Sequence, residues 1–382
     1  MKTIKISFTG DAILNELVLN RYKKSKFDMD LMFDDLKNFF ENSDYVITNL
    51  ETPISSNKEE WTSSRYQFTS PPEFAKSLIN NGVTCFTLAN NHCLDNGIDG
   101  INKTIEELDK LKIDYVGIGN KKNLVIDIKG VRLGILSYTY GTNAFANNVY
   151  LDKNQELVCM FQRQELSNSI LRKIWNSKNI FVKIIRKICK ILHLFQFNKN
   201  PYERYEKNAV ELKKIDEQIN LLKAKNVDHI IMCMHEGGQY NSKVQTKTKK
   251  TVQKILAKNI NIIIGNHEHV IHNVEHNSNS VISYSLGNLI SSFGVIEEPI
   301  ENYNDYSIIL NLYLTSKSIE KVTYTIVKIH DENNIIKSSL LYDLIENEHD
   351  TKVKESLIND YYGIQKIVSN SFEKEIKKEI EL

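Results

Sequence analysis

The 382-residue chain lacks the features of a secreted, a membrane-spanning or a strongly charged protein. Its 5 cysteines are scattered and include no Cys-x-x-Cys pair, which argues against a disulfide scaffold and favours a reducing compartment. No run approaches the ~18 apolar residues of a transmembrane helix, and no apolar leader precedes the first strand-like run. The net charge is +1, so no global field recruits nucleic acid. We therefore expect a cytoplasmic protein without a signal peptide, a transmembrane helix or a nucleic-acid partner.

Five short apolar runs of the chain each end abruptly in polar side chains. The runs begin near Lys5, Asp44, Thr84, His229 and Ile260. They are rich in Ile, Val and Phe, as expected of strands that are buried on both faces. In open α/β sheets, ligands bind in the crevice beyond the carboxyl ends of the strands. The sequence therefore predicts that the polar residues after all five runs meet at one site.

The residues that follow these runs are of types that bind metals. They are, in chain order, Asp11, Glu51, Asn91 with His92 and Asp95, His235, and His267 with His269. Asp and Asn offer oxygen ligands, and His binds metal or moves a proton. A lone His near an apolar run is usually a core or surface residue, but an i, i+2 pair in an extended segment points both imidazoles the same way. A two-metal hydrolase accounts for all five ends at once, whereas a purely structural explanation needs five separate coincidences.

These motifs also stand in a recognisable order. They are Gly10-Asp11, Asn49-Leu50-Glu51-Thr52-Pro53, Pro71-Pro72-Glu73, Ala89-Asn90-Asn91-His92 with Asp95 and Gly97, Met234-His235-Glu236-Gly237, Gly265-Asn266-His267-Glu268-His269-Val270 and Tyr284-Ser285-Leu286-Gly287-Asn288. In order, spacing and identity they resemble the CapA-type poly-γ-glutamate and capsule biosynthesis family, a branch of the calcineurin-like metallophosphatases. The resemblance covers residues 4–292, with a poorly matched insertion near 143–207. It implies an α/β fold, namely a four-layer α/β/β/α metallophosphatase-like sandwich with a helical insertion and a C-terminal helical extension.

The resemblance also implies a site for two divalent metal ions. The implied ligands are Asp11 and His269 for the first ion, Asn91, His235 and His267 for the second, and Glu51 as a bridge between the two. Hard carboxylate oxygens combined with imidazoles suit Mn²⁺, Fe or Zn²⁺ better than Mg²⁺ or Ca²⁺. Which of these metals is bound stays open.

Five further residues are implied to act on the substrate side of this site. His92 is the implied proton donor to the leaving group, and Asp95 orients it. Arg65, Asn90 and Asn288 are weaker candidates for contacting the substrate, and a plain surface position is the better account of Arg65.

The chain departs from the family pattern at five positions. Ordinary metallophosphatases have a His two residues after the first Asp, where this chain has Ile13, and the capsule branch commonly lacks that His as well. The family's His-Trp-Gly-x-Glu-Tyr segment reads here with Glu236 and Gln239 in place of Trp and Glu. Its Gly-His-His-Pro-His segment has Asn266 in place of the first His and Glu268 in place of Pro. Added negative charge near the site tightens the binding of cations or weakens that of anionic substrates. Substrate preference therefore stays open.

Composition and length set the domain organisation. With 41% hydrophobic and 25% charged residues, the chain is long enough for one large domain or two smaller ones. We interpret residues 1–330 as a metallophosphatase-like domain that contains the insertion at about 143–207. Residues 331–382 form a polar C-terminal extension with a final helix from Lys352 on.

The insertion contains a basic amphipathic segment. From Leu166 to Tyr202 there is no Asp or Glu, but there are eight Lys or Arg. On a helical wheel, one side carries Phe181, Ile184, Ile185, Ile188, Leu192 and Phe195, and the opposite side carries Lys183, Arg186, Lys187 and Lys190. Such a helix is typical of segments that bind a membrane surface or a partner, so residues 170–197 are predicted to contact a membrane or the capsule machinery. An ordinary helix that packs its apolar side on the domain is an equally good interpretation.

Two functions from different classes fit these observations. The first is a metallohydrolase of capsule or poly-γ-glutamate biosynthesis that activates water against a phosphoester or an amide, and the retained His92 and Asp95 favour it. The second is a non-catalytic metal-binding accessory protein that binds a polyanionic polymer during capsule assembly or export. The departures at Glu236, Gln239 and Glu268 favour the second.

Overall fold

The computed structural model describes residues 2–61, 67–164, 167, 177–191, 209–292, 295, 303–369 and 373–382. In these ranges the strands are β1 Ile4–Ala12, β2 Tyr45–Leu50, β3 Cys85–Thr87, β4 Asp114–Val116, β5 Leu124–Ile128, β6 Val131–Thr139, β7 His229–His235, β8 Ile262–Asn266, β9 Val274–Asn277, β10 Ser280–Ser283, β11 Asn288–Ile290, β12 Tyr306–Leu314, β13 Ile319–Glu332, β14 Ile335–Leu340 and β15 Ile380–Glu381. The helices are α1 Glu16–Ser25, α2 Asp34–Phe40, α3 Pro72–Asn80, α4 Gly97–Leu111, α5 Ala144–Asn147, α6 Ile180–Ile191, α7 Ala209–Ala224, α8 Thr246–Leu256, α9 Leu341–Asn347 and α10 Thr351–Ser369.

The strands form two sheets that are parallel in their centres. The first sheet has the order β14-β13-β12-β1-β2-β3-β4, with β11 beside the end of β1 and β15 beside β13. Its strands β1 to β4 are parallel, and β12 to β14 continue it antiparallel. The second sheet has the order β5-β6-β7-β8-β10-β9, with β6, β7, β8 and β10 parallel. The carboxyl ends of neighbouring parallel strands therefore lie together within each sheet.

Three apolar cores separate four layers, because successive side chains of a strand point to opposite faces. On β2, Val46 packs in the core shared with α1 to α4, and Ile47 packs in the core between the sheets. On β7, Ile231 faces the core between the sheets, and Met232 packs in the core shared with α7 and α8. The resulting order of helices, sheet, sheet and helices confirms the predicted four-layer α/β/β/α sandwich.

The described part of the insertion has a packed portion and an exposed portion. Leu151, Val158 and Met160 belong to the core between the first sheet and its helices, so the beginning of the insertion is part of the domain. Helix α6 instead exposes apolar side chains, among them Phe181 at 71% and Ile185 at 58% of their accessible surface. Leu192 and Phe195 of the predicted apolar side lie outside the described residues. Among the helices that the structure describes, none has the length and apolarity needed to cross a bilayer.

The C-terminal residues are built into the sandwich. The expected boundary after residue 330 falls inside β13, which pairs with β14 and with β15. On α10, Tyr361, Ile364 and Val368 are buried in the core between the sheets. The polar composition of this segment reflects the exposed side of an amphipathic helix, whose buried side completes the core.

Candidate metal centre

Two glycines let the strands that carry the site approach their neighbours closely. A Cβ at Gly10 would lie 2.1 Å from the carbonyl oxygen of Gly287, and a Cβ at Gly265 would lie 2.1 Å from that of Tyr284. Both distances are far below any real contact of a Cβ, so a side chain at either position would displace backbone. The next residue after Gly10 is Asp11, whose backbone N–H donates to the Gly287 carbonyl at 3.0 Å.

Asp11 is completely buried, and its two carboxylate oxygens face different parts of the site. Its Oδ1 accepts a hydrogen bond from Asn49 Nδ2 at 2.6 Å. Its Oδ2 accepts from the backbone N–H of His267 at 3.0 Å and lies 3.4 Å from His269 Nδ1. Burial alone would raise the pKa of Asp11, but the hydrogen bond from His269 and the charges of His235 and His269 outweigh it and lower that pKa. Asp11 is therefore held as a carboxylate.

Glu51 lies at the centre of the site and has no hydrogen-bond partner on either carboxylate oxygen. Its side chain is fully buried. Its Oε1 lies 3.5 Å from His235 Nε2 and 3.9 Å from His92 Nε2. A buried carboxylate without hydrogen bonds is strongly unfavourable, and a cation beside Glu51 would offset this cost.

Three nitrogen and oxygen ligand atoms converge beside Glu51. His235 Nε2 lies 2.6 Å from Asn91 Oδ1 and 3.1 Å from His267 Nδ1. One imidazole N–H cannot donate to both partners, whereas a single cation accepts electron pairs from all of these atoms. Burial, followed by the charges of His235 and His269, lowers the pKa of His267 far below its usual value. A neutral imidazole is the form that binds metal.

His267 and His269 meet the site through a backbone conformation that the sequence interpretation did not foresee. The prediction placed them in an extended segment, but their φ angles are +100° and +58°. Positive φ is uncommon for residues other than glycine and costs roughly 1–3 kcal/mol, so the fold imposes it at this position. The two rings still lie 5.9 Å apart, centroid to centroid. The i, i+2 argument is thus wrong in its geometry, although both rings do reach the site.

Asn288 supports His269 directly. Its Oδ1 lies 2.9 Å from His269 Nδ1, and its amide donates to the His269 carbonyl at 3.4 Å. Burial opposes the charging of His269, but the charge of Glu51 and the hydrogen bond and charge of Asp11 raise its pKa to about 9. Asn288 is completely buried beside this candidate ligand, and its contact with a substrate stays a prediction.

The donor set fits a pair of divalent ions. Two groups of ligand atoms, each within 4.8 Å of one another, are Asp11 with Glu51 and His235, and Glu51 with His267 and His269. Glu51 belongs to both groups, which suits a bridging carboxylate. These groups pair His235 with Asp11, and His267 with His269, whereas the resemblance pairs His235 with His267. The assignment of ligands to individual ions stays a prediction, and the mixed imidazole and carboxylate set favours Mn²⁺, Fe or Zn²⁺.

His92 is held rigidly from three directions. Its Nδ1 lies 2.7 Å from Asp95 Oδ2, and its backbone N–H donates to Asn90 Oδ1 at 3.1 Å. The ring of Phe68 stacks on the imidazole at 4.1 Å between centroids. Asp95 is fixed in turn by the Phe68 N–H at 2.7 Å and by Asn147 Nδ2 at 2.8 Å. His92 Nε2 consequently points towards Glu51.

The pKa of His92 suits a proton donor. Burial of the ring opposes protonation, but the charge and hydrogen bond of Asp95, followed by the charge of Glu51, outweigh burial and raise the pKa of His92. The imidazole therefore carries a proton up to a higher pH than an ordinary His does.

Asn49 is the residue that the sequence interpretation left without a role. Its amide nitrogen donates to Asp11 and lies 3.3 Å from His235 Nδ1, while its Oδ1 accepts from Asn90 Nδ2 at 3.3 Å. Its place at the end of β2, opposite Asp11 in the parallel register, is the signal that could have found it. Asn90 is completely buried and also donates to the Leu50 carbonyl at 2.9 Å, so it positions the loop before His92. Arg65 lies outside the described residues.

The acidic departures from the family pattern lie beside the ligands. Glu236 and Glu268 are both buried, and Glu236 accepts a hydrogen bond from Thr251 Oγ1 at 3.1 Å. Burial raises the pKa of Glu268 to about 8, and the charge of Glu236 makes a smaller contribution in the same direction. The backbone N–H of Gly238 acts to lower this pKa but is outweighed. The amide of Gln239 lies 3.4 Å from His269 Nε2.

Comparison with known proteins gives the family of this chain. The relatives include the capsule biosynthesis protein CapA of Bacillus anthracis, 23% identical over 293 residues that cover 74% of this chain and 59% of that protein. The PGA biosynthesis protein CapA of Bacillus subtilis (strain 168) is 22% identical over 298 residues, which cover 76% of this chain and 64% of that protein. The chain thus spans about three fifths of the length of these relatives.

Two solved structures resemble the chain more distantly. A phosphatase of Mycoplasma pneumoniae is 14% identical with a TM-score of 0.40, and the match covers 86% of this chain and 89% of that one. A 5'-nucleotidase precursor of Thermus thermophilus is 10% identical with a TM-score of 0.40, and the match covers 95% of this chain and 59% of that one. At this TM-score the two structures do not establish the fold, which rests on the sheets and cores described above. The family model described as bacterial capsule synthesis protein PGA_cap matches residues 5–292, and the chain therefore belongs to this family of bacterial capsule synthesis proteins.

Proposed function

We propose that the protein is a metal-dependent hydrolase of capsule biosynthesis that cleaves a phosphoester or an amide bond. The observation that carries this proposal is the arrangement of His92, because a site that only binds metal has no need of an oriented imidazole. His92 Nε2 faces the unpartnered carboxylate of Glu51 at 3.9 Å, and its other nitrogen is fixed by Asp95.

The ligands of the candidate metal centre leave His92 with a separate task. Asp11, Glu51, Asn91, His235, His267 and His269 would hold two divalent ions. When bound, such ions polarise the scissile group and lower the pKa of water. Asp95 accepts the proton on His92 Nδ1 and raises the pKa of the ring, so that the protonated imidazole also carries a proton on Nε2, the nitrogen that faces the site. Phe68 covers the ring and excludes water from that side. His92 would then deliver its proton to the leaving group, which departs as a neutral alcohol or amine.

Variants of two histidines test this proposal. We expect His92→Ala to retain the metal content of the parent and to lose turnover by about 10²–10⁴-fold, the usual contribution of a positioned acid. The assay uses Mn²⁺-loaded protein with p-nitrophenyl phosphate, bis(p-nitrophenyl) phosphate and γ-glutamyl-p-nitroanilide. His349→Ala is the matched control, since His349 is exposed and lies outside the site.

The alternative is a non-catalytic accessory protein that binds a polymer through the same centre. The buried carboxylate of Glu236 favours it, because it disfavours small anionic substrates. Two results together would support this alternative and contradict the hydrolase. The metal-loaded parent would bind polyanions but turn over none of the three substrates, and His92→Ala would be indistinguishable from the parent.

We also propose that α6 docks on an anionic membrane surface. Its apolar residues Ile180, Phe181, Ile184, Ile185 and Ile188 are each 47–71% exposed and fall on one side of the helix. Its flanks are complementary in charge to anionic lipid, since the stretch from Leu166 to Tyr202 contains eight basic and no acidic residues. An exposed apolar stripe with basic flanks is the pattern of helices that lie in the membrane interface.

Vesicle sedimentation tests the membrane proposal. We expect the parent to bind vesicles of phosphatidylcholine with phosphatidylglycerol, and the Ile184→Asp/Ile188→Asp variant to bind at least about 10-fold more weakly, because each buried side chain contributes roughly 1.5–3 kcal/mol. Leu221→Asp is the control, since Leu221 is 50% exposed on α7. Two results would refute the membrane as the partner. One is equal vesicle binding by the parent and the double variant. The other is concentration-dependent dimerisation of the parent that only the double variant abolishes.

A further inference from the structure

A small cavity shares a wall with the metal centre. It is lined by Tyr140, Gln162, Glu236, Lys247, Thr251 and Lys254, together with apolar side chains of α7 and α8, and its volume is about 40 Å³. A cavity that holds a single water has a volume of roughly 10–15 Å³, so this larger cavity accommodates a small polar group. The ring of Tyr140 lies 4.7 Å from that of the candidate ligand His267, and Glu236 directly follows the candidate ligand His235.

Helix α8 gives this cavity a positive side. From Gly237 to His267 the chain has six Lys and no Asp or Glu, and much of that charge is on α8. Lys247, Thr251 and Lys254 are spaced i, i+4 and i+7, so they share one face of the helix, and this face lines the cavity. The spacing of these lysines forms a surface only because α8 is placed against Tyr140 and Glu236.

Glu236 sets the net charge of the cavity. Its Oε1 lies 3.4 Å from Lys247 Nζ and accepts from Thr251 Oγ1 at 3.1 Å, which holds the Lys247 side chain at the cavity. Lys254 is exposed at the rim and forms no ion pair with any described residue. Two ammonium groups and one carboxylate leave a single positive charge. This charge matches a carboxylate better than a doubly charged phosphate monoester.

We propose that this cavity is a subsite for a carboxylate group of the substrate. Lys254 and Lys247 bind the carboxylate, the apolar side chains Leu212 and Ile255 contact the methylene groups that carry it, and the adjacent bond is presented to the metal centre. The placing of that bond rests on the proposed hydrolase function. The binding of the carboxylate does not, and it is measured without turnover.

The test is isothermal titration calorimetry of N-acetyl-tri-L-glutamate against the Mn²⁺-loaded protein. We expect Lys254→Gln to weaken binding about 3–10-fold, as loss of one charged hydrogen bond at a half-open site does. Glu236→Gln should strengthen binding, because it removes the negative charge of the cavity, and these opposite signs exclude a general loss of folding. Lys249→Gln is the matched control, since Lys249 is an exposed lysine of the same helix outside the cavity and should leave binding unchanged.

Three outcomes would overturn the subsite. The first is no binding of the peptide by the parent, and the second is equal weakening by Lys254→Gln and Lys249→Gln, which would indicate non-specific surface charge. The third is binding of hexathymidylate that is tighter than binding of the peptide and depends on Lys254, which would identify a phosphate site instead. Turnover of p-nitrophenyl phosphate, bis(p-nitrophenyl) phosphate and γ-glutamyl-p-nitroanilide by the parent is measured separately. A parent that binds the peptide with the expected pattern but does not turn over substrate refutes the hydrolase and leaves the subsite standing.

Discussion

We expect metal loading to reverse the order of stability between the parent and the Glu51→Gln variant. Glu51 is fully buried and neither of its carboxylate oxygens has a hydrogen-bond partner, an arrangement that costs roughly 1–3 kcal/mol. His269, whose pKa is raised to about 9 in part by Glu51, carries a positive charge at neutral pH that offsets part of this cost. We therefore expect metal-free Glu51→Gln to be more stable than the metal-free parent by about 1–2 kcal/mol.

The metal changes this order. At a concentration of about 100 times its Kd, a bound ion stabilises the parent by about 2.7 kcal/mol. If loss of the shared carboxylate weakens binding about 100-fold, the variant gains only about 0.4 kcal/mol at the same concentration. The parent then becomes the more stable protein, because it gains about 2 kcal/mol more than the variant does.

Urea denaturation followed by circular dichroism measures both quantities, once in chelator and once with Mn²⁺. Glu41→Gln is the control, since Glu41 is exposed and should follow the parent in both conditions. Equal stabilisation of parent and Glu51→Gln by Mn²⁺ would refute the reasoning. So would a metal-free variant that is about 2 kcal/mol less stable than the parent, because the carboxylate would then be satisfied by the protein itself.

Three other substitutions have defined outcomes. Asp95→Asn removes the charge that raises the pKa of His92, so the alkaline limb of the pH–rate profile should move to lower pH and kcat should fall about 10²-fold or more. Asn49→Ala removes the hydrogen bond to Asp11, and we expect metal affinity to fall about 10–100-fold in competition with a chelating dye. Burial raises the pKa of Glu379, but hydrogen bonds from Thr323, Tyr313 and Lys5 outweigh burial and lower this pKa. Glu379→Gln should therefore cost about 1–2 kcal/mol in urea denaturation at pH 7. Because a lowered carboxyl pKa stabilises above its unfolded value, this difference should shrink as the pH falls below about 4.5.

The positions of the main site residues could be predicted because the rule that locates them is topological. Asp11, Glu51 and His235 lie at or just after the ends of buried parallel strands, and apolar runs of this kind are visible in the sequence. The order of the layers was implied by the family resemblance and not by the runs alone, although buried parallel strands do need helices on their outer faces.

Other features could not be predicted because they depend on contacts between distant segments. Phe68 fixes Asp95 from a loop and Asn147 fixes it from the short helix α5, and no sequence pattern links either residue to Asp95. Substrate contact by Asn90 and Asn288 stays a prediction, and the protein groups that these residues contact are brought near only by the packed strands. Positive φ at His267 likewise arises from the strand-end geometry and not from a local propensity.

The C-terminal segment shows the limit of composition as a guide. Its Lys and Glu content is typical of an exposed extension, yet Tyr361 and Ile364 are buried between the sheets. A helix with one buried stripe has mostly polar residues, so composition alone does not separate it from an external helix.

Metal content tests the central claim most directly. Protein purified without chelators is subjected to elemental analysis beside the Asp11→Ala/His267→Ala variant. A centre shared by Glu51 predicts about two divalent transition-metal ions per chain in the parent and their loss in the variant. A parent without metal, which stays without metal when Mn²⁺, Fe²⁺ or Zn²⁺ is supplied, would contradict the metal centre and with it the hydrolase.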